Sequence, residues 1–308
     1  MALGAEGYRW IRRLPDLLAE LSSEWDVIVG PPLPGGSEAF VAVATTAGGV
    51  DAVIKLEIPG DPSFGAPDRF ETTAWIFASG RGEAYARLIR HDERRRALLL
   101  ERLGPSLSAS GLAVGAQIEI LCGVLREAWK IPAGVPLEPG ADKARRLAAF
   151  IASTWEDLRM PCSERAVERA LAFAAARAAA FDPAGSVVVH GDAHAGNALR
   201  ALGDASVEKP RFKFIDPECF LAEPSYDLGI SMRDWTGELL AGDAVEIGLR
   251  RCGLLARLSG LAPQPIWEWG FVERVSTGLL ALKVGAERIG RDMLAVADRW
   301  SVVEDSRA

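Results

Sequence analysis

Apolar residues recur three and four apart over GYRWIRRLPDLLAELSSEW (7–25), where Trp10, Leu14, Leu17, Leu18 and Leu21 share one face, and the spacing predicts an amphipathic helix. The pattern breaks at PPLPGGSEAF (31–40), a turn rich in proline and glycine. FVAVATTAGGVDAVIKLE (40–57) then has two β-rich runs flanking AGG, which predicts a hairpin. IPGDPSFGAPD (58–68) reads as loop, and FETTAWIFASG (70–80) as a short helix ended by Gly80. ARLIRHDERRRALLLERL (86–103) predicts a second hairpin with polar HDERR at its tip. From GPSLSASG onward the apolar period lengthens: residues 111–130, 140–159 and 163–180 are rich in Ala and Leu and helical in spacing. Strand signals return briefly at SVVVH (186–190), NALR (197–200) and RFKFID (211–216), and residues 225–303 are again mostly helical.

Strands gathered before about residue 104 and helices after it point to an α+β protein of two lobes, not to an alternating parallel sheet. The expected division is a small β-rich N-lobe, residues 1–103, and a larger, mostly helical C-lobe, residues 104–308. At 308 residues the chain is long enough for each lobe to have its own core, and a cleft between lobes is a favoured place for a ligand.

The formal charge of -7 argues against nucleic-acid binding, which needs a basic face, and fits a small cationic partner better. Cys122, Cys162, Cys219 and Cys252 are scattered with no CxxC pair, the pattern of buried thiols in a reducing compartment. MALGAEGYRW lacks the basic start and apolar core of a signal peptide, and no stretch has the length and apolarity of a membrane span. A cytoplasmic protein without membrane partners, a monomer or weak dimer, is the expectation.

Two of the three histidines lie in HGDAHAGN (190–197), for which three readings compete. His190, Asp192 and His194 are metal-ligand types, but a catalytic zinc needs three protein ligands, usually two or three of them imidazoles, and only the distant His91 is left to complete such a set. The segment is also an ordinary polar exit from the strand SVVV. The third reading is a phosphoryl-transfer loop, H-x-D-x-x-x-x-N, in which Asp192 accepts the proton of a substrate hydroxyl and Asn197 holds magnesium. RFKFID then brings a strand to Asp216, placed to be a second magnesium ligand, and hard oxygen donors of this kind suit that ion. Upstream, A-V-I-K ends on Lys55, a strand lysine of the type that meets nucleotide phosphates; Glu71 is the leading candidate to orient it, with Glu57 and Glu83 open. Gly35, Gly36 and Ser37 precede the first hairpin strand, where backbone amides can approach phosphate.

In order, GGSEAF, AVIK, FETTAW, ALLLERL, VVVHGDAHAGN, FIDPE and EPSYDLG resemble the aminoglycoside phosphotransferase family, and most of all its branch of streptomycin 6-kinases and hydroxyurea phosphotransferases. The resemblance runs from about residue 30 to 235 and is sharpest at HGDAHAGN and FIDPE. It implies a protein-kinase-like fold using ATP or another nucleoside triphosphate with Mg2+, the nucleotide lying between the lobes. Asp192 matches the catalytic Asp, Asn197 and Asp216 the metal ligands, and Lys55 the lysine on the α- and β-phosphates. His190 matches a bracing histidine and Asp227 a structural Asp. ALLLERL resembles the strand whose backbone meets adenine, which points to Glu101, Arg102 and Leu103. Two departures stand out: Pro217 and Glu218 follow Asp216 where protein kinases have Phe-Gly, and GGSEAF differs from the kinase glycine loop.

The implied reaction moves a γ-phosphoryl group to a hydroxyl of a small cationic molecule, an aminoglycoside of streptomycin type. Glu218, Glu223, Asp234 and Glu238 are candidate acceptor carboxylates, set against their reading as ordinary solvated charges; the cluster WEWGFVER (267–274) reads either as a cover for a sugar or guanidinium group or, its tryptophans inward, as core of the C-lobe. Two alternatives are a metabolic kinase acting on a sugar or amino alcohol and a non-catalytic nucleotide-binding module. The set Lys55, Asp192, Asn197 and Asp216 argues against the second.

Overall fold

Alternation in DAVIKLE places Ala52, Ile54 and Leu56 on one side of a strand and Val53, Lys55 and Glu57 on the other, because successive side chains of a strand point to opposite faces. In this computed structural model, which describes residues 4–34, 39–58, 70–203 and 210–303, that strand is β3. The chain divides into two compact units, Met1–Pro105 with Leu199–Ile215, and Ser106–Ala198 with Asp216–Ala308.

The first unit holds β1 (Val27–Pro32), β2 (Ala39–Thr46), β3 (Asp51–Glu57), β4 (Leu88–Asp92) and β5 (Ala97–Glu101) in one sheet of order β1-β2-β3-β5-β4, each neighbouring pair antiparallel. Helix α1 (Gly4–Trp25) lays Trp10, Leu17, Leu21 and Trp25 against Ala42, Ala44, Ala52, Ile54, Leu56 and Leu99. Burying each of the larger of these side chains is worth roughly 1.5–3 kcal/mol, so this face fixes the register, and a slip of one residue would carry Lys55 into the core. Strand β1 is an addition to the sequence expectation, in which its Pro31-Pro32 reads as the start of a turn. It is an edge strand paired only with β2, where proline costs no interior ladder bond. Helix α2 (Phe70–Ser79) ends at Gly80 as expected.

The chain returns to this unit late. Strand β8 (Phe212–Phe214) pairs with β7 (Ala198–Arg200), and Phe214 N–H donates to Ala84 O at 2.8 Å while its own carbonyl accepts from Ala86 N at 3.0 Å. The Phe214 ring lies against the buried Tyr85, and Lys213 Nζ meets Glu101 at 2.5 Å.

The second unit is helical: α3 (Val114–Ala128), α4 (Gly140–Asp157), α5 (Glu164–Ala179), α6 (Ser225–Arg233), α7 (Thr236–Ala241), α8 (Ala244–Ser259), α9 (Pro263–Lys283) and α10 (Glu287–Trp300). Helix α9 buries Ile266, Trp267, Trp269, Phe271, Val272, Val275 and Leu279, a distribution with no polar stripe that suits the centre of a bundle. Its Gly270 is required by close approach: a Cβ there would stand 2.3 Å from Met232 Cβ on α6. The tryptophans of WEWGFVER are therefore core. A short antiparallel pair, β6 (Val187–Val189) with β9 (Phe220–Ala222), was only half expected, since the three residues of β9 carry too little signal to read. All four cysteines are free and buried, and among the described residues no helix is long and apolar enough to cross a membrane.

Candidate active site

Strand β6 delivers HGDAHAGN, and the β6–β9 pairing is extended by one bond, Glu218 N–H to His190 O at 2.8 Å. His190 is fully buried and its Nδ1 accepts the Asp192 N–H at 3.1 Å. Asp227, in the first turn of α6 and also fully buried, accepts the backbone N–H of His190 and of Gly191, both at 2.9 Å, and Trp129 Nε1 at 2.9 Å. Burial pushes the Asp227 carboxyl upward, opposed by His190 and these three donors. The structural role that the resemblance implies for Asp227 would take this form, a carboxylate that ties the loop to a helix N-terminus. Gly191 has φ +86°, and a Cβ there would lie 2.8 Å from Glu218 Cβ.

Asp192 follows, with three neighbours. Arg233 Nη2, from the end of α6, donates to its Oδ1 at 2.8 Å; His194 Nε2 lies 3.4 Å from Oδ2; and Asn197 Nδ2 reaches its carbonyl at 3.1 Å and Oδ2 at 3.4 Å. Burial alone would raise the Asp192 pKa, but Arg233 and His194 more than reverse this and hold the carboxyl far below the usual carboxylate range. Burial works against the charged forms of Arg233 and His194 as well; the Asp192 carboxylate, helped by Asp234 in both and by Glu273 for Arg233, overcomes it and raises their pKa values. His194 Nδ1 accepts the Gly196 N–H at 3.0 Å, which leaves Nε2 as the nitrogen facing Asp192. His190 and His194 each turn Nδ1 to the backbone, which does not favour the histidine metal site, and among the described residues no three or more His, Cys, Asp or Glu side chains are gathered so as to hold a metal ion.

The remaining candidates fall in several places. Asp216 follows β8, exposed, in a left-handed backbone with φ 52° that turns the chain toward β9. Lys55 Nζ lies 3.4 Å from Glu57 Oε1, and Glu57 also meets Arg96 at 3.3 Å. Glu71 is exposed in the first turn of α2, while Glu83 pairs with Arg211 at 2.7 Å. Glu101 ends β5, its N–H donating to Arg87 O at 2.9 Å, and its carboxylate taking Arg87 N–H at 2.7 Å; Leu103 is buried just beyond. Gly35, Gly36 and Ser37 lie outside the described residues.

The acceptor candidates separate clearly. Glu223 is tied down by Arg177 at 3.1 Å and Trp269 Nε1 at 2.9 Å, a contact that pins α5 to α9. Glu218 is 44% exposed, with Lys143 at 3.5 Å. Asp234 stands 3.5 Å from Arg233 Nε, so that one guanidinium faces both Asp234 and Asp192. Sequence reasoning did not single out Arg233, and its signal, one basic residue in the last turn of a helix, is common to helices of every kind.

Over residues 26–285 the chain matches the family model described as aminoglycoside/hydroxyurea antibiotic resistance kinase. It is 28% identical over 289 residues to a streptomycin 6-kinase of Streptomyces glaucescens, covering 92% of this chain and 88% of that protein. Choline kinase LicA from Streptococcus pneumoniae superposes with a TM-score of 0.63 at 11% identity, covering 94% of this chain and 99% of that one. The GDP complex of aminoglycoside 2'-phosphotransferase-IIIa gives 0.59 at 12% identity, covering 93% and 98%. At such identities the structural likeness shows the fold, which is that of these small-molecule kinases.

Proposed function

Because this chain belongs to the aminoglycoside/hydroxyurea antibiotic resistance kinase family, we propose that it transfers the γ-phosphoryl group of ATP to a hydroxyl of a streptomycin-type aminoglycoside. The observation that carries this reading is the Asp192 carboxylate, ionised and aimed by Arg233, His194 and Asn197 within a loop braced by Asp227. The bond from the γ-phosphorus to the leaving diphosphate breaks as the hydroxyl oxygen bonds to phosphorus, and the hydroxyl proton passes to Asp192. A carboxylate held this acidic is a weak base, so it orients the hydroxyl first and takes the proton late, after phosphorus has made that proton acidic. Most of the acceleration comes from positioning and electrostatics.

Asn197 and Asp216 are the residues proposed to hold magnesium. Asn197 turns its Nδ2 to Asp192, which leaves its Oδ1 as the hard donor, and Asp216 offers an exposed carboxylate. Bound there, the ion would neutralise charge on the phosphate oxygens. Lys55 is assigned to the α- and β-phosphates, with Glu71 or Glu57 to orient it, the backbone near Glu101 and Leu103 to adenine, and Gly35, Gly36 and Ser37 to the phosphate cover. Glu218 and Asp234 are proposed to favour a cationic acceptor; Glu223, already paired, fits that role less well. We place the protein in the cytoplasm, as a monomer or weak dimer.

Purified protein given streptomycin and MgATP is expected to yield a drug heavier by one phosphate, and Asp192→Asn to lose about 10²–10⁴-fold in kcat while still binding ATP. Turnover of a neutral sugar or amino alcohol, with streptomycin untouched, would keep the chemistry and replace the acceptor. Wild-type turnover by Asp192→Asn would remove Asp192 from the mechanism.

A further inference from the structure

The last four carbonyls of a helix have no partner within it, and α6 ends without the glycine that commonly closes such a turn. Asp234 follows in extended backbone and Trp235 in the left-handed region at φ 51°. Only the Ile230 carbonyl is met locally, by Asp234 N at 3.2 Å. Two arginines from other helices take the rest. Arg251 of α8 donates to Ser231 O at 3.3 Å and Asp234 O at 2.7 Å. Arg274 of α9 donates to Met232 O at 2.8 Å, Arg233 O at 2.7 Å and Thr236 Oγ1 at 3.0 Å.

The two differ in what balances their charge. Arg251 is paired with Glu238 at 2.5 Å. Arg274 is completely buried, stands 4.7 Å over the Trp300 ring, and among the described residues donates to carbonyls and a hydroxyl, its Nε meeting no partner. A buried guanidinium without an ion-pair contact is costly, and here the carbonyls at the end of α6 and the charge of the Asp234 carboxylate offset part of that cost. One residue earlier on α9, the buried Glu273 accepts the Tyr226 hydroxyl and faces Arg233 Nη1 at 3.8 Å. Adjacent residues of one helix thus fix both the backbone and the side chain of Arg233, whose Nη2 is on Asp192.

We propose that α9, through Arg274 and Glu273, positions Arg233 on the Asp192 carboxylate and so sets the geometry of phosphoryl transfer. The inference rests on the assignment of Asp192 above. Neither residue is placed at the reacting atoms; both act through Arg233.

The test has an arm that needs no acceptor. In the full chain carrying ¹⁵N-arginine, the Arg233 Nε–H resonance is identified by its loss in Arg233→Lys, and its displacement in Asp192→Asn marks the broken pairing. Arg274→Lys and Glu273→Gln should each move that resonance in the same direction. A folded variant of either kind that leaves it in place overturns the role of that residue, and Glu273→Gln decides the matter for α9 should Arg274→Lys not fold. The second arm is kinetic, with streptomycin and MgATP. Arg274→Lys is expected to lower kcat by about a hundredfold with KM for MgATP unchanged, and to cost nothing further in an Arg233→Met background. Losses that multiply in the double variant would mean that Arg274 acts elsewhere. Should Asp192→Asn keep wild-type turnover, the assignment of Asp192 to the mechanism falls, and the resonance arm still judges whether α9 places Arg233.

Discussion

Gly191 shows how one backbone angle can decide a site. At φ +86° any side chain is strained by about 1–2 kcal/mol, and here a Cβ would also press on Glu218. Gly191→Ala should lower the melting temperature and, by displacing the next residue, Asp192, reduce kcat; calorimetry beside a turnover assay checks both. Asp216 separates from Asp192 by what it changes. Asp216→Ala should weaken MgATP binding in a calorimetric titration, and unchanged affinity with unchanged rate would leave it only as the turn after β8. At this scale the sequence is most readable where partners are close along the chain: His190, Asp192 and Asn197 meet within one loop. Arg233 was not readable, because its partner lies 41 residues away and only the folding of α6 against the β6–β9 segment brings the two together.

At the scale of elements, long periodic segments were readable and short ones were not. The helices expected at 140–159 and 163–180 are α4 and α5 almost to the residue, since an apolar stripe over four turns leaves little choice. The strand β1 was hidden by its prolines, and β9 by its brevity. Caps are a local signal of the same kind. Asp243 accepts from Val245 and Glu246 N–H at 2.9 and 3.1 Å and begins α8, the helix that carries Arg251. Asp243→Ala should cost about 1 kcal/mol of stability, read as a lower midpoint in urea, with kcat nearly unchanged because the Arg251–Glu238 pair holds the far part of the helix.

For the whole molecule, the sequence shows a passage from strands to helices but not the later return of residues 199–215 to the first unit. The reason is physical: three residues of strand cannot announce which sheet or core will receive them. That return is part of the core, since Phe214 packs on Tyr85 and bonds to Ala84 and Ala86. Residues 1–105 expressed alone should therefore lack a cooperative thermal transition, with exposed Tyr85 visible as increased dye binding. A sharp two-state melt of that fragment would show the returning segment to be dispensable.

The same return bears on how such chains can be recombined. A chimera of two relatives joined only at residue 105 would face Glu101 of one parent with residue 213 of the other, and would seat a foreign Phe214 on Tyr85. Exchange of the first unit needs three joints, and two of them fall beside Asn197 and Asp216. The first unit is therefore not a module to be shuffled by a single crossover, and new combinations of the two units are expected to arise by point substitution within an intact chain.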